Sequence, residues 1–231
     1  MSSERDTRCR TSLVSTSFDQ MAADVNSEPS FACSACGASQ TLFKRYTLCI
    51  GYGNANGTET VLLGLKQRGF GRGKWNGFGG KVEAGENVCQ AALRELYEEA
   101  GVHIVADGHP SSARCTTPRH DIRRFRWAGC LCFTFEAKSM PRMHVDVFSG
   151  SICACREPRA SDEMIPQWYA YSQIPYESMW PDDAIWLPLL LQQDQELHPR
   201  ILIAEFIYND DADNILKSNV RLLPREQAGI F

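Results

Sequence analysis

"GGKVEAGENVCQAALRELYEEAGV", Gly79–Val102, is the stretch that decides the reading of this chain. Asn87 followed three residues later by Gln90 is close to a capping box, and Gly101 is a natural stop, so a helix is predicted between them. At about 100° per residue, Val88, Cys89, Ala92, Leu93, Leu96 and Ala100 fill one apolar arc that must face a core. Glu95, Glu98 and Glu99 fall together on the adjacent arc, broken only by Ala91. Glu95–Glu99 and Glu95–Glu98 are i,i+4 and i,i+3 pairs, each repelling by a few tenths of a kcal/mol. In a chain with net charge −4 that crowding is a cost unless a cation offsets it. Three carboxylates beside a core, entered through a glycine-rich loop (Gly69–Gly80), suit a hard divalent cation. Mg²⁺ comes first, with Mn²⁺ as a substitute, because such ions accept a few carboxylates plus water and substrate phosphates.

Around this helix, 231 residues with 43% hydrophobic and 23% charged content describe one sizeable core with appendages. Residues 1–40 hold twelve serines and threonines and no hydrophobic period, and are expected to be a poorly ordered extension. The domain is expected over 41–231. No apolar run is long enough to span a membrane and no secretory leader opens the chain, which implies an intracellular protein, cytoplasmic or in the nucleus or mitochondrion. Arg5, Arg8 and Arg10 hint at organelle targeting, but Glu4, Asp6 and Asp19 break the acid-poor pattern of a transit peptide. The ten cysteines are scattered through strand-like segments, as buried reduced thiols would be. Mild acidity argues against stable nucleic-acid binding.

"YTLCIGY" (Tyr46–Tyr52) and "TVLLGLK" (Thr60–Lys66) read as strands joined through Asn56-Gly57, a dipeptide suited to positive φ. "AGCLCFTFE", "MHVDVFSGSICAC", "QWYAY", "RILIAEFIY" and "NVRLL" read as further strands, and "DDAIWLPLLLQ" as a second helix. The expected fold class is α/β, a mixed sheet between helices.

Gly80, Glu86 and the run Arg94-Glu95-Leu96-Tyr97-Glu98-Glu99-Ala100-Gly101-Val102 match the signature of the Nudix hydrolase superfamily, which this chain resembles at every fixed position. The resemblance implies an α/β/α sandwich and Mg²⁺-dependent cleavage of a nucleoside diphosphate linked to another moiety. It implies metal ligation by Glu95, Glu98, Glu99 and the Gly79 carbonyl, with Arg94 and Glu86 bracing loop and helix. "LLGLKQRGFGRGKWNGFGGKVEAGE", "SDEM", "IPYESMWPDD" and "PLLLQ" are further similar to oxidised purine nucleoside triphosphate hydrolases of the MutT-homologue type, from about Tyr46 to Gln192. Glu163, in "SDEM", then aligns with an acid near the metals that positions or deprotonates the attacking water, a role Glu98 could equally fill.

Asn76 offers a carboxamide that donates and accepts along a purine edge. Asp182 and Asp183 are adjacent carboxylates. If both face one pocket at about 4 Å, their repulsion is about 4 kcal/mol at an effective dielectric near 20, enough to keep one of them protonated. A pair with one proton both donates and accepts, which suits altered purines; the plain alternative is a turn and a helix start. By the resemblance Trp180, Phe70, Phe133 and Met143 are the walls on which the base stacks, and Thr47 and Lys66 lie near sugar and base. The implied reaction converts the oxidised triphosphate (8-oxo-dGTP, 2-oxo-dATP or a methylated purine) to monophosphate and pyrophosphate. The expected partner is a small nucleotide bound by a monomer.

Other readings stay open. The basic segment His109–Trp127, with five arginines, interrupts the pattern as an insertion at about 106–126 and reads as a surface loop. It carries Pro118, about sixteen residues beyond the signature, where ADP-ribose-type relatives have a proline. A Nudix enzyme for ADP-ribose or a nucleotide sugar, and a nucleotide sensor without hydrolysis, are the two rivals. Cys33 and Cys36 form half of a zinc ribbon with no second pair at the usual spacing.

Overall fold

The computed structural model describes residues 43–104, 125–136, 141–152, 157–193, 195–196 and 198–228. The extension 1–40, the Cys33/Cys36 pair, Pro118, Cys153, Cys155 and nearly all of the basic segment lie outside the described residues.

Strands β1 (Phe43–Ala55) and β2 (Thr58–Lys66) form an antiparallel hairpin. Its turn residues Asn56 and Gly57 have φ of 53° and 83°, the doubly positive geometry expected of Asn-Gly. β3 (Trp75–Asn76) pairs with β2, so Asn76, expected on a loop, sits in a short strand. The reason is that the backbone of Lys66 and Lys74 continues the β2 ladder across a turn closed at Gly69 and Gly71. Helix α1 (Val88–Ala100) follows, then β4 (Arg126–Phe135), β5 (Arg142–Ser151), β6 (Met164–Ala170), α2 (Asp183–Gln193), β7 (Ile201–Tyr208) and β8 (Ile215–Leu223). The sheet runs β3-β2-β1-β5-β4-β7-β8, with β6 also on β2. β1–β5 and β4–β7 are parallel and the remaining pairs antiparallel, which makes the sheet mixed as expected.

The two helices cover opposite faces. Leu48, Ile50 and Tyr52 of β1 pack with Trp186, Leu187, Leu190 and Leu191 of α2, while Cys49, on the other side of the same strand, packs with α1. α1 has the predicted ends: the Asn87 side chain accepts from the Gln90 N–H, the Gln90 side chain reciprocates, and Gly101 closes the helix at φ 69°. Its whole predicted apolar arc is buried. Cys49, Cys89, Cys130 and Cys132 are buried and outside any disulfide, and burial pushes the Cys89 thiol up to about 12.

Candidate active site

α1 sets its glutamates beside the glycine loop that borders a cleft, without lining the cleft themselves. Glu99 is 3% exposed; its Oε2 accepts from the Gly79 N–H at 2.9 Å and its Oε1 receives Lys66 Nζ at 3.0 Å. Lys66 Nζ also bonds Glu163 Oε2 at 3.1 Å, and Arg68 closes on the other Glu163 oxygen. Lys66, expected near sugar and base, does line the cleft, but its ammonium is drawn to the acids because they are the nearest negative charge.

The loop beneath the carboxylates has no room for a side chain at Gly79, and at Gly80 one would displace the Glu95 carboxylate. A Cβ on Gly79 would stand 2.0 Å from the Thr47 carbonyl oxygen, and one on Gly80 would stand 2.4 Å from Glu95 Oε1. Burial raises the carboxyl of Glu95 against the pull of Arg94, and burial likewise raises that of Glu99 against Lys66. The cluster is therefore short of positive charge. An all-oxygen donor set in that condition fits a hard divalent cation. Glu98 departs from the expected arrangement: its side chain is 58% exposed at the rim, its Oε2 held by Arg94 Nη1 at 3.0 Å.

Arg94 is the brace. Its Nε and Nη2 grip the two oxygens of Glu86 at 3.0 and 2.7 Å, and its Nη1 bonds Glu95 Oε1 at 2.9 Å. Glu86 also accepts from the Glu83 N–H, closing the loop that leads into α1. The bonds from Arg94 hold the Glu86 carboxyl below its ordinary value. Glu86→Gln is expected to cost about 1.5–3 kcal/mol in denaturant unfolding, since a charged two-pronged contact becomes a single neutral one. It should lower turnover about 10–100-fold through misplacement of Glu95.

Beyond the acids opens a cleft of about 480 Å³. All nine residues expected to touch substrate line it: Thr47, Lys66, Phe70, Asn76, Phe133, Met143, Trp180, Asp182 and Asp183; so do Gly79 and Glu163. Phe70 stacks on Trp180 with ring centroids 4.9 Å apart, and Lys74 Nζ stands 4.9 Å over the same indole. Phe133 and Met143 are cross-strand partners on the opposite wall. Thr47 Oγ1 is buried with no hydrogen-bond partner among the described residues. Asn76 Oδ1 accepts from the Gly77 N–H at 2.8 Å.

Asp182 and Asp183 are 4% and 2% exposed at the start of α2. Asp182 Oδ1 accepts from the Tyr208 hydroxyl at 2.5 Å, and its Oδ2 accepts from Trp186 Nε1 at 2.9 Å. Asp183 Oδ2 accepts from the Trp180 N–H at 3.0 Å. Burial raises both carboxyls; Asp183, which also feels the neighbouring Asp182, is pushed well above its ordinary value of 3.8. Both shifts favour a pair that holds on to a proton, and the two donors on Asp182 make it the better stabilised carboxylate of the two. Tyr208, Trp186 and Lys74 are site residues that sequence reasoning missed. Tyr208 comes from a strand far along the chain, and only the "WPDDAIW" spacing, which puts Trp186 one helical turn after Asp182, carried a signal.

A sandwich with a signature loop–helix under a nucleotide-sized cleft defines a class, and the NUDIX domain model matches residues 45–190. The chain belongs to that family. It is 42% identical to the oxidized purine nucleoside triphosphate hydrolase of Danio rerio over 140 residues, 59% of this chain and 75% of that one. Identity to the Mus musculus protein of the same name is 38% over 163 residues, 71% of this chain and 87% of that one. Among solved structures it resembles a MutT protein from Bacillus halodurans with a TM-score of 0.51 at 21% identity, covering 77% of this chain and 97% of that one. This last likeness concerns the fold. Members of the family generally use divalent metal ions. Among the described residues no helix is long and apolar enough to cross a membrane.

Proposed function

We propose that this protein hydrolyses oxidised purine nucleoside triphosphates to the monophosphate and pyrophosphate, removing damaged precursors from the nucleotide pool. The observation that carries the reading is the buried Asp182–Asp183 pair in a cleft that reaches Glu163 and, through Lys66 and Gly79, Glu99. The identity to relatives of that name supports it. Protonated Asp183 donates to a carbonyl-like edge and ionised Asp182 accepts from an N–H through a remaining lone pair. Asn76 reads a further edge, Thr47 Oγ1 takes a bond it otherwise lacks, and the base lies between Trp180 with Phe70 and the Phe133–Met143 wall.

Glu95, Glu98, Glu99, Glu163 and the Gly79 carbonyl are the residues that would hold Mg²⁺, or Mn²⁺ in its place. The metal when bound offsets the negative charge of carboxylates and phosphates and acidifies a water. With a cation taking up the charge of Glu99, Lys66 would be available to a phosphate oxygen. Both oxygens of Glu163 are taken by Lys66 and Arg68, whereas Glu98 keeps an oxygen outside its contact with Arg94. Glu98 is therefore assigned the base role, and Glu163 would act as ligand and water-positioning acceptor in place of its contacts with Lys66 and Arg68.

Steady-state assays with both Gln variants separate these roles. Glu98→Gln is expected to lower kcat about 10²-fold or more. Glu163→Gln should mainly raise the Mg²⁺ concentration needed for half-maximal rate. The reverse pattern would exchange the assignments. The function itself is tested by pyrophosphate release from 8-oxo-dGTP, dGTP and ADP-ribose with Mg²⁺. Preference for the oxidised nucleotide supports the reading, and activity confined to ADP-ribose overturns it.

A further inference from the structure

On the face of the sheet opposite the cleft, Cys130 and Cys132 of β4 and His144 of β5 bring their ligand atoms within 4.8 Å of one another. The alternation of the strands makes the separation: Leu131, Phe133, Met143 and Val145 line the cleft, and the residues between them point to the other side. Cys132 and His144 are direct cross-strand partners, one register step from Phe133 and Met143. We propose that Cys130, Cys132 and His144 form a site for a soft transition metal ion of the Zn²⁺ type, distinct from the hard-metal site of the glutamates.

Three observations carry this. Cys132 Sγ stands 3.6 Å from His144 Nδ1. A tetrahedral ion at about 2.3 Å from sulfur and about 2.0–2.1 Å from nitrogen sets those two atoms about 3.6 Å apart. That pair already stands at the spacing of the bound state, and the third ligand atom lies within 4.8 Å of both. Next, the far nitrogen of His144, Nε2, faces Asp146 Oδ1 at 3.6 Å. At that distance the carboxylate makes no hydrogen bond, but its charge favours the proton on Nε2, the tautomer that leaves Nδ1 to a metal. Asp146 is itself held, accepting from Arg45 Nε at 2.8 Å and Trp127 Nε1 at 3.0 Å. Finally, both cysteines are buried, at 3% and 4% exposure, against Ile201 and Ile203. Two sulfurs and one imidazole in an apolar setting select Zn²⁺ over Mg²⁺, the inverse of the all-oxygen cluster. Three protein ligands leave a fourth position to water or an exogenous thiol. A bound ion would clip β4 to β5 directly behind the Phe133–Met143 wall. The site stands independently of the hydrolase reading.

The test uses the full-length chain, stripped of metal under a non-thiol reductant, then titrated with Zn²⁺ against a chromophoric chelator and with Co²⁺ as a spectroscopic stand-in. One Zn²⁺ per chain, thiolate-to-Co²⁺ charge-transfer absorption and tetrahedral d–d bands are expected, with binding undisturbed by excess Mg²⁺. Cys132→Ser and His144→Ala should each abolish the bands, and Cys130→Ser serves where either fails to fold. Asp146→Asn should weaken Zn²⁺ about 10–100-fold. A Cys33→Ser/Cys36→Ser double variant should keep the site. Zn²⁺ lost in that double variant and retained in Cys132→Ser overturns the proposal, as does a folded wild-type chain with no thiolate band.

Discussion

Glu99→Gln is expected to reduce turnover by about 10³-fold or more while leaving the protein folded. The two halves of that expectation have separate causes. Glutamine can still accept from the Gly79 N–H but sets its NH₂ against Lys66, which keeps Glu163; with the burial penalty on the charge relieved, the net cost is about 1–3 kcal/mol and the protein stays folded. Loss of a carboxylate from the cation site removes several kcal/mol of transition-state stabilisation, and each 1.36 kcal/mol is about tenfold in rate. Assay of pyrophosphate release checks the rate. Melting with and without Mg²⁺ checks the cause: the wild type should gain stability with Mg²⁺ and the variant should not. A variant that unfolds, or that keeps its Mg²⁺-induced shift, would remove Glu99 from the proposed ligand set.

Asp182→Asn should lower kcat/KM for the oxidised nucleotide by about 10–100-fold and destabilise the chain by about 1–3 kcal/mol, because two donors converge on Asp182. An amide presents one acceptor and one NH₂, so either the Tyr208 hydroxyl or the Trp186 N–H meets a donor. Asp183→Asn differs in sign. The unfolded chain releases the Asp183 proton near 3.8, whereas the folded chain holds it well above that value. Its contribution is therefore present in full below pH 3.8 and is lost as pH rises toward and through the folded pKa. Asn removes that loss. Relative to wild type, Asp183→Asn should gain stability steadily from pH 4 to pH 7, read from denaturant midpoints at each pH. A wild-type curve rising across that interval with no difference from the variant would mean that Asp183 is ionised in the folded protein. Selectivity between the two nucleotides, measured on both variants, tests the pocket separately from stability.

The ends and the buried arc of α1 are legible in the sequence because capping and 3.6-residue periodicity are local properties of consecutive residues. So is the β1–β2 turn, since Asn56-Gly57 alone supplies its positive φ values. The family signature carries the acids, and "WPDD" carries the aspartates. Tyr208 on Asp182, Lys66 between Glu99 and Glu163, and Arg68 on Glu163 are not legible there, because they join residues 26 to 97 positions apart whose meeting depends on strand order.

The sequence by itself determined the helix, its hydrophobic face, the hairpin and the chemical types gathered in the site, since these rest on local backbone preference and on side-chain composition. The tertiary structure alone decided how differently the two aspartates are held, since that rests on burial and on a donor from a distant strand. It alone also turned Cys130, Cys132, His144 and Asp146 into one cluster. In the chain they read as strand residues of alternating pattern; only the register of β4 against β5, a non-local pairing, sets thiols and imidazole side by side on the face away from the cleft.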